Sequence, residues 1–193
     1  MRPVDSRHIA VSGVSRYGKG ALVAMAYDSR IAIGYIASSG EGGAKLYCRN
    51  FGEMMENVAG SSEYHWMASN FLKYAGPLTA DDLPVDANEL IALCAPRPIF
   101  IGAGRTRNEG QWTPIGSDGC ADVKGEFLAA ADAGLVYKLL GKKPLPVSEF
   151  PAIETTIIDS GVGFRQHAQG HIMGGELATF MNFAAHYFPV DKQ

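Results

Sequence analysis

The sequence has 193 residues, of which 47% are hydrophobic and 19% are charged, and this balance is typical of a folded domain with its own core. Seventeen basic residues against twenty acidic ones give a formal charge of −3, which argues against a nucleic-acid partner. No apolar stretch approaches the roughly 20 residues that a membrane span needs, so no membrane partner is expected.

The three cysteines, Cys48, Cys94 and Cys120, are too few and too scattered for a disulfide framework. No Cys-x-x-Cys or Cys/His finger spacing occurs, so the sequence predicts neither a structural metal nor a cofactor. The first residues, Met1 to Asp5, lead into no apolar segment of the length found in a signal peptide.

The first half of the chain begins with an alternation of strand and helix signals. The segment His8–Val14 is apolar and β-branched and predicts a buried strand; Gly18–Tyr27 predicts a helix, and Ile31–Ala37 the next strand. The long segment Ser38–Leu83 has no strand signal. It predicts two helices, around Phe51–Val58 and Trp66–Tyr74.

The second half continues the alternation. Asp86 and Glu89 have the spacing of a capping box, which predicts a helix that ends before Pro96. The remaining elements are a strand, a long polar loop, a long helix, a last strand region and a closing helix, at Pro98–Ala103, Gly104–Cys120, Asp122–Leu140, Thr155–Gln169 and Gly175–Tyr187. This order predicts an α/β fold with a mostly parallel sheet of about four strands flanked by helices.

The turn between the first strand and the first helix is the strongest candidate for chemistry. Ser15 lies there between Gly13 and Gly18, where a nucleophile elbow lifts a serine oxygen above the sheet. The usual G-x-S-x-G pattern is imperfect because the second glycine comes one residue late. The alternatives are an incidental serine or a phosphate loop, but Gly20 stands where a P-loop needs serine or threonine.

A hydrolase triad runs serine, acid, histidine along the chain, and the histidine follows the last strand. His171 has that position, and His167, four residues earlier, is its competitor. The acid is expected after the Pro98–Ala103 strand, where Glu109 comes first and Asp118 second. Glu109 is preferred because it lies nearer to the end of the strand.

With these residues, the chain resembles the bacterial glucuronoyl esterases of carbohydrate esterase family 15. The elbow Ser15–Gly20 is similar to the family's S-R-x-G-K-G signature, which explains the displaced glycine. Further family blocks follow in the same order: Arg49–Glu53, His65–Trp66, Asn70–Phe71, Leu83–Asp86, Ala95–Pro98 and Gly170–His171.

The resemblance implies a partial α/β-hydrolase fold and a serine esterase acting on 4-O-methyl-glucuronate esters that join xylan to lignin alcohols. Ser15 would be the nucleophile, His171 the base, and Arg16 would help to stabilise the oxyanion. The residues implied to contact the uronate sugar are Lys19, Glu53 and Trp112, and Trp66 is suited to stacking on a sugar ring.

The chain departs from the family pattern in its acid. The family often carries a Glu-Ser-Gly segment after the strand that is Ile31–Ala37 here, and Ser38 replaces that glutamate. Some members use an acid after the following strand, which favours Glu109. Glu41, three residues past the replaced position, remains a further candidate.

The chain is also about half as long as the family's domains, and the resemblance begins at the nucleophile strand. We therefore expect residues 1–193 to form a single domain equivalent to the C-terminal half of an α/β-hydrolase. The family resemblance implies a secreted or periplasmic protein. The edge of the His8–Val14 strand would lack a partner, which predicts self-association.

The sequence leaves two rival functions open. Another carbohydrate esterase, such as an acetyl-xylan esterase, would not need the Lys19, Glu53 and Trp112 set. A non-catalytic half-domain would act through association with itself or with another chain.

Overall fold

The computed structural model describes residues 5–107, 112–113, 116–146 and 149–188, with the backbone alone at 112–113. The strands are β1 to β7 at Ile9–Val14, Ile31–Ala37, Ile99–Ala103, Trp112–Thr113, Ser117–Asp118, Thr156–Ile157 and Val162–Gln166. The helices are α1 to α5 at Arg16–Tyr27, Met55–Val58, Ala87–Ala92, Val123–Leu139 and Leu177–Ala185. Short 3₁₀ helices lie at Tyr64–Trp66, Ser69–Ala75, Ala80–Asp82 and Gly174–Glu176.

Five strands form the main sheet in the order β1-β2-β3-β7-β6. The first four of these run parallel, and β6 pairs antiparallel with β7. The sequence-based prediction of an α/β fold with a mostly parallel sheet is therefore confirmed. The fifth strand, β6, lies at the edge of the sheet and is only two residues long. It is therefore too short to show an alternating pattern in the sequence.

The two faces of the sheet are covered by different helices because successive side chains of a strand point to opposite sides. On one face Ile36, Ile99 and Phe164 pack against apolar residues of α1, α3 and α4. On the other face Tyr35 and Phe100 pack against Phe180 and Phe183 of α5. This layered core holds the carboxyl ends of β1, β2, β3 and β7 along one edge, where the candidate site lies.

The segment between β2 and β3 is the part that differs most from its predicted elements. The helix expected over Phe51–Val58 is reduced to α2, because Gly52 has a left-handed φ of 66°. The helix expected over Trp66–Tyr74 is two 3₁₀ helices, because Met67 and Ala68 between them are extended. The capping box of Asp86 and Glu89 is confirmed at the start of α3.

Strand β1 forms one edge of the described sheet and pairs with β2 alone among the described residues. Its side chains are largely exposed, and Ile9 retains 39% of its surface accessible to solvent. Among the helices of the described ranges, we find none with the length and apolar composition that a membrane crossing requires.

Candidate active site

The turn that carries Ser15 links the end of β1 to the first turn of α1. Ser15 has φ 59° and ψ −133°, a conformation that non-glycine residues rarely adopt. Its amide donates to the Ala37 carbonyl at 3.0 Å, and its carbonyl accepts from the Lys19 amide at 3.1 Å. This strained strand-to-helix turn is the geometry of a nucleophile elbow.

Two glycines make this turn possible. A Cβ on Gly13 would lie 2.1 Å from the Tyr17 carbonyl oxygen, and one on Gly18 would lie 2.9 Å from the Ala37 carbonyl oxygen. Any larger residue would force β1 and α1 apart. The displaced second glycine therefore serves the same purpose as the one in the usual pattern, since it lets the helix approach the strand.

The base candidate His171 lies in the loop between β7 and the 3₁₀ helix Gly174–Glu176, and its side chain contacts Asp118. A hydrogen bond of 2.7 Å joins His171 Nδ1 to Asp118 Oδ1. The Asp118 side chain is fully buried, and that of His171 is 10% exposed. A buried carboxylate on Nδ1 fixes the tautomer in which Nε2 can accept a proton.

The second oxygen of Asp118 is also fully engaged. Oδ2 accepts a hydrogen bond of 2.5 Å from the Ser38 hydroxyl and one of 2.6 Å from the Gly104 amide. Burial alone would raise the pKa of Asp118, but the hydrogen bonds from His171 and Ser38 outweigh it and lower the pKa below its ordinary value. Asp118 is therefore held as a carboxylate facing His171.

This contact favours Asp118 among the acids left open by the sequence. Glu109, the preferred candidate, lies outside the described residues, and the carboxylate seen on His171 is that of Asp118. Glu41 is buried in an ion pair with Lys45 instead. Asp118 is the weaker candidate from sequence alone because it lies far from the end of β3 along the chain. The short β4–β5 hairpin brings it back beside that end.

The competing histidine, His167, follows β7 and is buried. Its Nδ1 accepts the Gln169 amide at 3.1 Å, and its Nε2 lies 4.0 Å from the buried carboxylate of Glu176. Burial lowers the pKa of His167. Its place beneath the loop that carries His171 indicates a structural role.

A cavity of about 550 Å³ opens beside the elbow and the histidine. Its lining brings together most of the predicted site residues, and it includes two ionisable residues that the sequence analysis did not propose for the site, Glu63 and Cys120. The chemically relevant residues in its wall are Ser15, Arg16, Glu53, Glu63, Trp66, Cys120 and His171.

Arg16, the predicted oxyanion residue, is held at the cavity by two aromatic rings. Its guanidinium carbon lies 5.0 Å from the ring centroid of Tyr17 and 5.5 Å from that of Trp66. Cation–π contacts of this kind orient a guanidinium without neutralising it. Trp66 thus lines the cavity, as predicted for a sugar-contacting residue, and also positions Arg16.

Lys19 is placed differently from Glu53, although both were predicted to contact the sugar. The Lys19 ammonium group is buried and donates to the carbonyls of Ser39 and Glu41, each at 2.7 Å, and to the carboxylate of Glu53. Its three donors are all used within the protein, and it does not appear in the cavity wall. Lys19 instead ties the chain after β2 to α1 and orients Glu53.

Glu63 adds a second carboxyl group beside Glu53. Burial raises the pKa of Glu63, and the nearby charge of Glu53 raises it further to a smaller extent. Its Oε2 is buried and has no hydrogen-bond partner among the described residues. The only sequence signal for Glu63 is its place two residues before the His65–Trp66 block.

Trp112, the remaining predicted sugar contact, lies in β4 with its backbone opposite Asp118. Its side chain lies outside the described part of the chain, so its contact with a sugar stays a prediction.

The order of serine, aspartate and histidine along the chain, on a parallel sheet with the serine at a strand–helix elbow, is that of an α/β-hydrolase. The family model described as fungal glucuronyl esterase matches residues 1–141. The chain belongs to the glucuronoyl esterase family, as its motifs indicated.

Individual relatives agree with this assignment. Carbohydrate esterase MZ0003, from an unknown prokaryotic organism, is 36% identical over 185 residues, or 95% of this chain and 39% of the relative. A solved glucuronoyl esterase of carbohydrate esterase family 15 from Teredinibacter turnerae is 46% identical with a TM-score of 0.88, covering 96% of this chain and 42% of that one. A promiscuous family 15 esterase from a marine bacterial metagenome is 36% identical with a TM-score of 0.83, covering 95% of this chain and 43% of that one. The chain thus spans about 40% of the length of these relatives.

Proposed function

We propose that the protein is a serine carboxylesterase that hydrolyses 4-O-methyl-glucuronoyl esters between xylan and lignin alcohols. The observation that carries the proposal is the 2.7 Å hydrogen bond between buried Asp118 and His171, which lines the same cavity as Ser15. In this proposal residues 1–193 form one domain, equivalent to the C-terminal half of the longer relatives.

The reaction proceeds by acyl transfer. His171 Nε2 takes the Ser15 proton while the serine oxygen attacks the ester carbonyl, and Asp118 stabilises the imidazolium that forms. Arg16 and the amide groups at the start of α1 hold the negative charge that develops on the carbonyl oxygen. His171 then returns the proton to the leaving alcohol, and water attacks the acyl-enzyme by the same route.

The uronate ring occupies the cavity beside the two carboxyl groups. Glu53, oriented by Lys19, and Glu63 beside it line the cavity and accept hydrogen bonds from sugar hydroxyls. Carboxylate acceptors suit a polyhydroxylated acyl group. The acetyl group that an acetyl-xylan esterase removes has no such hydroxyls, so this wall favours the glucuronoyl ester.

Replacement of the nucleophile tests the proposal. Ser15→Ala should lower hydrolysis of benzyl glucuronate by a factor on the order of 10⁶, because the triad acts as a unit. The matched control is Ser12→Ala, an exposed serine on β1, which should leave turnover unchanged. Turnover of p-nitrophenyl acetate, measured in parallel, distinguishes an acetyl esterase.

Labelling with a fluorophosphonate adds a readout that needs no ester turnover. The wild type should be labelled at Ser15, and Ser15→Ala should not be labelled. Wild-type turnover or labelling in Ser15→Ala would refute the triad.

The substrate class also bears on where the protein acts. Glucuronoxylan is a polymer found outside cells, and we propose that the whole protein is secreted or periplasmic. The proposed substrate partner is thus a glucuronoxylan-type carbohydrate ester.

The exposed edge of β1 supports a second proposal, that the 193-residue chain self-associates. A parallel strand with unpaired amide and carbonyl groups is a template for pairing with another strand. Light scattering after size-exclusion chromatography should give a mass above that of one chain. Ile9→Lys, which places a charge on this edge, should shift the mass towards the monomer. A monomeric wild type with slowly exchanging β1 amides would contradict it.

A further inference from the structure

Cys120 lies two residues after Asp118, and its thiol is in contact with the candidate catalytic pair. Its Sγ is 3.6 Å from His171 Nδ1 and 3.8 Å from Asp118 Oδ1. The proposed ester chemistry assigns this thiol no role. Thiol, imidazole and carboxylate together are a common ligand set for Zn²⁺.

The spacing of these three atoms is close to that of a tetrahedral site. Bond lengths of about 2.3 Å to sulfur and about 2.0–2.2 Å to nitrogen and oxygen place sulfur about 3.6 Å from either of the other ligands. The two distances from Cys120 Sγ fall near this value. All three ligand atoms lie within 4.8 Å of one another.

One distance has to change. Nitrogen and oxygen ligands of a tetrahedral ion lie about 3.4 Å apart, whereas His171 Nδ1 and Asp118 Oδ1 are 2.7 Å apart in their hydrogen bond. Asp118 is fixed by Ser38 and Gly104 through its other oxygen. The cation therefore takes the place of the hydrogen bond between His171 and Asp118, and the two ligand atoms move apart as it binds.

Access and local charge also suit a cation. Cys120 and His171 both line the cavity, so an ion can enter and keep an open position for water. Cys120 is held in place through its carbonyl, which accepts the Glu53 amide at 2.8 Å. Asp118 and Glu53 add negative charge near the thiol, and Lys19 partly offsets it.

We propose that Cys120, His171 and Asp118 bind a borderline-soft divalent cation of the Zn²⁺ class, and that bound cation switches the catalytic pair off. The cation occupies Nδ1, so the remaining imidazole proton moves to Nε2. The nitrogen that must accept the Ser15 proton then has no free lone pair. The binding itself does not depend on the proposed esterase function, whereas the inhibition rests on it.

Neutral His171 keeps its single proton, which transfers from Nδ1 to Nε2 through solvent. A thiol ordinarily carries its proton at neutral pH, so the Cys120 thiol is protonated before the cation arrives. The cation replaces that proton, and one proton per bound ion passes to the buffer.

The test uses the tag-free chain in a Cys48→Ser background, because Cys48 is an exposed thiol that could bind metal independently. Calorimetric titration with Zn²⁺ in two buffers of different ionisation enthalpy should give one site and one proton released. Cd²⁺ should produce a thiolate-to-metal charge-transfer band in the ultraviolet. When Cys120→Ser is added, the affinity for the cation should fall on the order of a hundredfold. The thiolate-to-metal band should weaken accordingly.

His171→Gln provides a second, independent variant, and it should weaken Zn²⁺ binding while leaving the Cys120 thiol in place. Thermal unfolding of each variant shows that the fold is retained. Unchanged affinity in the Cys120→Ser or the His171→Gln variant would overturn the site, as would the absence of binding at millimolar Zn²⁺.

A kinetic arm separates this inference from the proposed function. Zn²⁺ should inhibit benzyl glucuronate hydrolysis by the parent chain, EDTA should reverse the inhibition, and the turnover of Cys120→Ser should be insensitive to Zn²⁺. Zn²⁺ bound at Cys120 without inhibition would overturn the switch. Zn²⁺ binding by a chain that hydrolyses no ester would support the site and refute the esterase.

Discussion

The elbow around Ser15 and the loop that carries Asp118 contribute to the same candidate triad but owe their geometry to different causes. The elbow is local: β1, Ser15 and α1 are consecutive in the chain, and close packing at Gly13 and Gly18 determines the turn. The position of the Asp118 carboxylate is determined by partners that are distant in sequence. Ser38, Gly104 and His171 all contact the carboxylate, and they are 80, 14 and 53 residues away in sequence.

This difference shows why a motif can identify a nucleophile and leave its acid undetermined. A steric requirement that acts over a few residues leaves a readable pattern, here two glycines around a serine. A carboxylate positioned by long-range hydrogen bonds leaves none, because many loop positions can reach the same point in space. Ser38 stands where the resemblance implies a glutamate, and its hydroxyl donates to Asp118, the candidate acid.

The largest effect that would test this comparison is the loss of the acid. Asp118→Asn should lower turnover by about 10⁴, because an amide on Nδ1 favours the wrong imidazole tautomer. Glu109→Gln is the matched control and should remain within about twofold of the wild type. Steady-state kinetics on benzyl glucuronate measure both.

The reverse result, a large loss in Glu109→Gln with Asp118→Asn close to the wild type, would return the role of the acid to Glu109. Large losses in both variants would show that the two carboxylates share the role.

The sequence predicted the parallel sheet, the elbow and the place of His171, because each depends on a local pattern or on order along the chain. It did not predict that Lys19 would turn away from the cavity. That burial depends on the carbonyls of Ser39 and Glu41, which the fold brings to α1 from the segment after β2. Glu63 was missed for the same reason, since it lies in a segment with no regular period.

The elbow's local origin is tested by adding a methyl group to a glycine. Gly13→Ala should lower the free energy of unfolding by about 3 kcal/mol or more, because its Cβ would overlap the Tyr17 carbonyl. Gly20→Ala, two residues past Gly18 on the exposed side of α1, has nothing within 4 Å of its new Cβ. It should raise the free energy of unfolding by about 0.5–1 kcal/mol.

Urea unfolding measures both changes. Equal effects at the two positions would show that helix propensity, rather than close packing at the turn, decides the stability of this region.

The last of these effects concerns pH and the support that α4 gives to the acid region. Glu126 is fully buried in α4, and its Oε1 accepts hydrogen bonds from the Ser39 amide, the Ser39 hydroxyl and the Gly40 amide. These residues directly follow Ser38, which donates to Asp118. Burial raises the pKa of Glu126 to about 8, against an ordinary value of 4.5.

In the folded state Glu126 thus keeps its proton up to about pH 8, whereas the unfolded chain loses it near its ordinary value. The folded state binds the extra proton between these limits, so its stability is highest at low pH and declines as pH rises through this window, by at most about 1.4 kcal/mol per pH unit. Glu126→Gln stays neutral and removes this contribution, together with the Glu126 charge that helps to raise the pKa of Glu176. The free energy of unfolding of the wild type minus that of Glu126→Gln, measured in urea from about pH 5 to about pH 8, should therefore fall steadily as the pH rises. Parallel curves would mean that Glu126 is ionised in the folded protein throughout, and that three donors on one oxygen outweigh its burial.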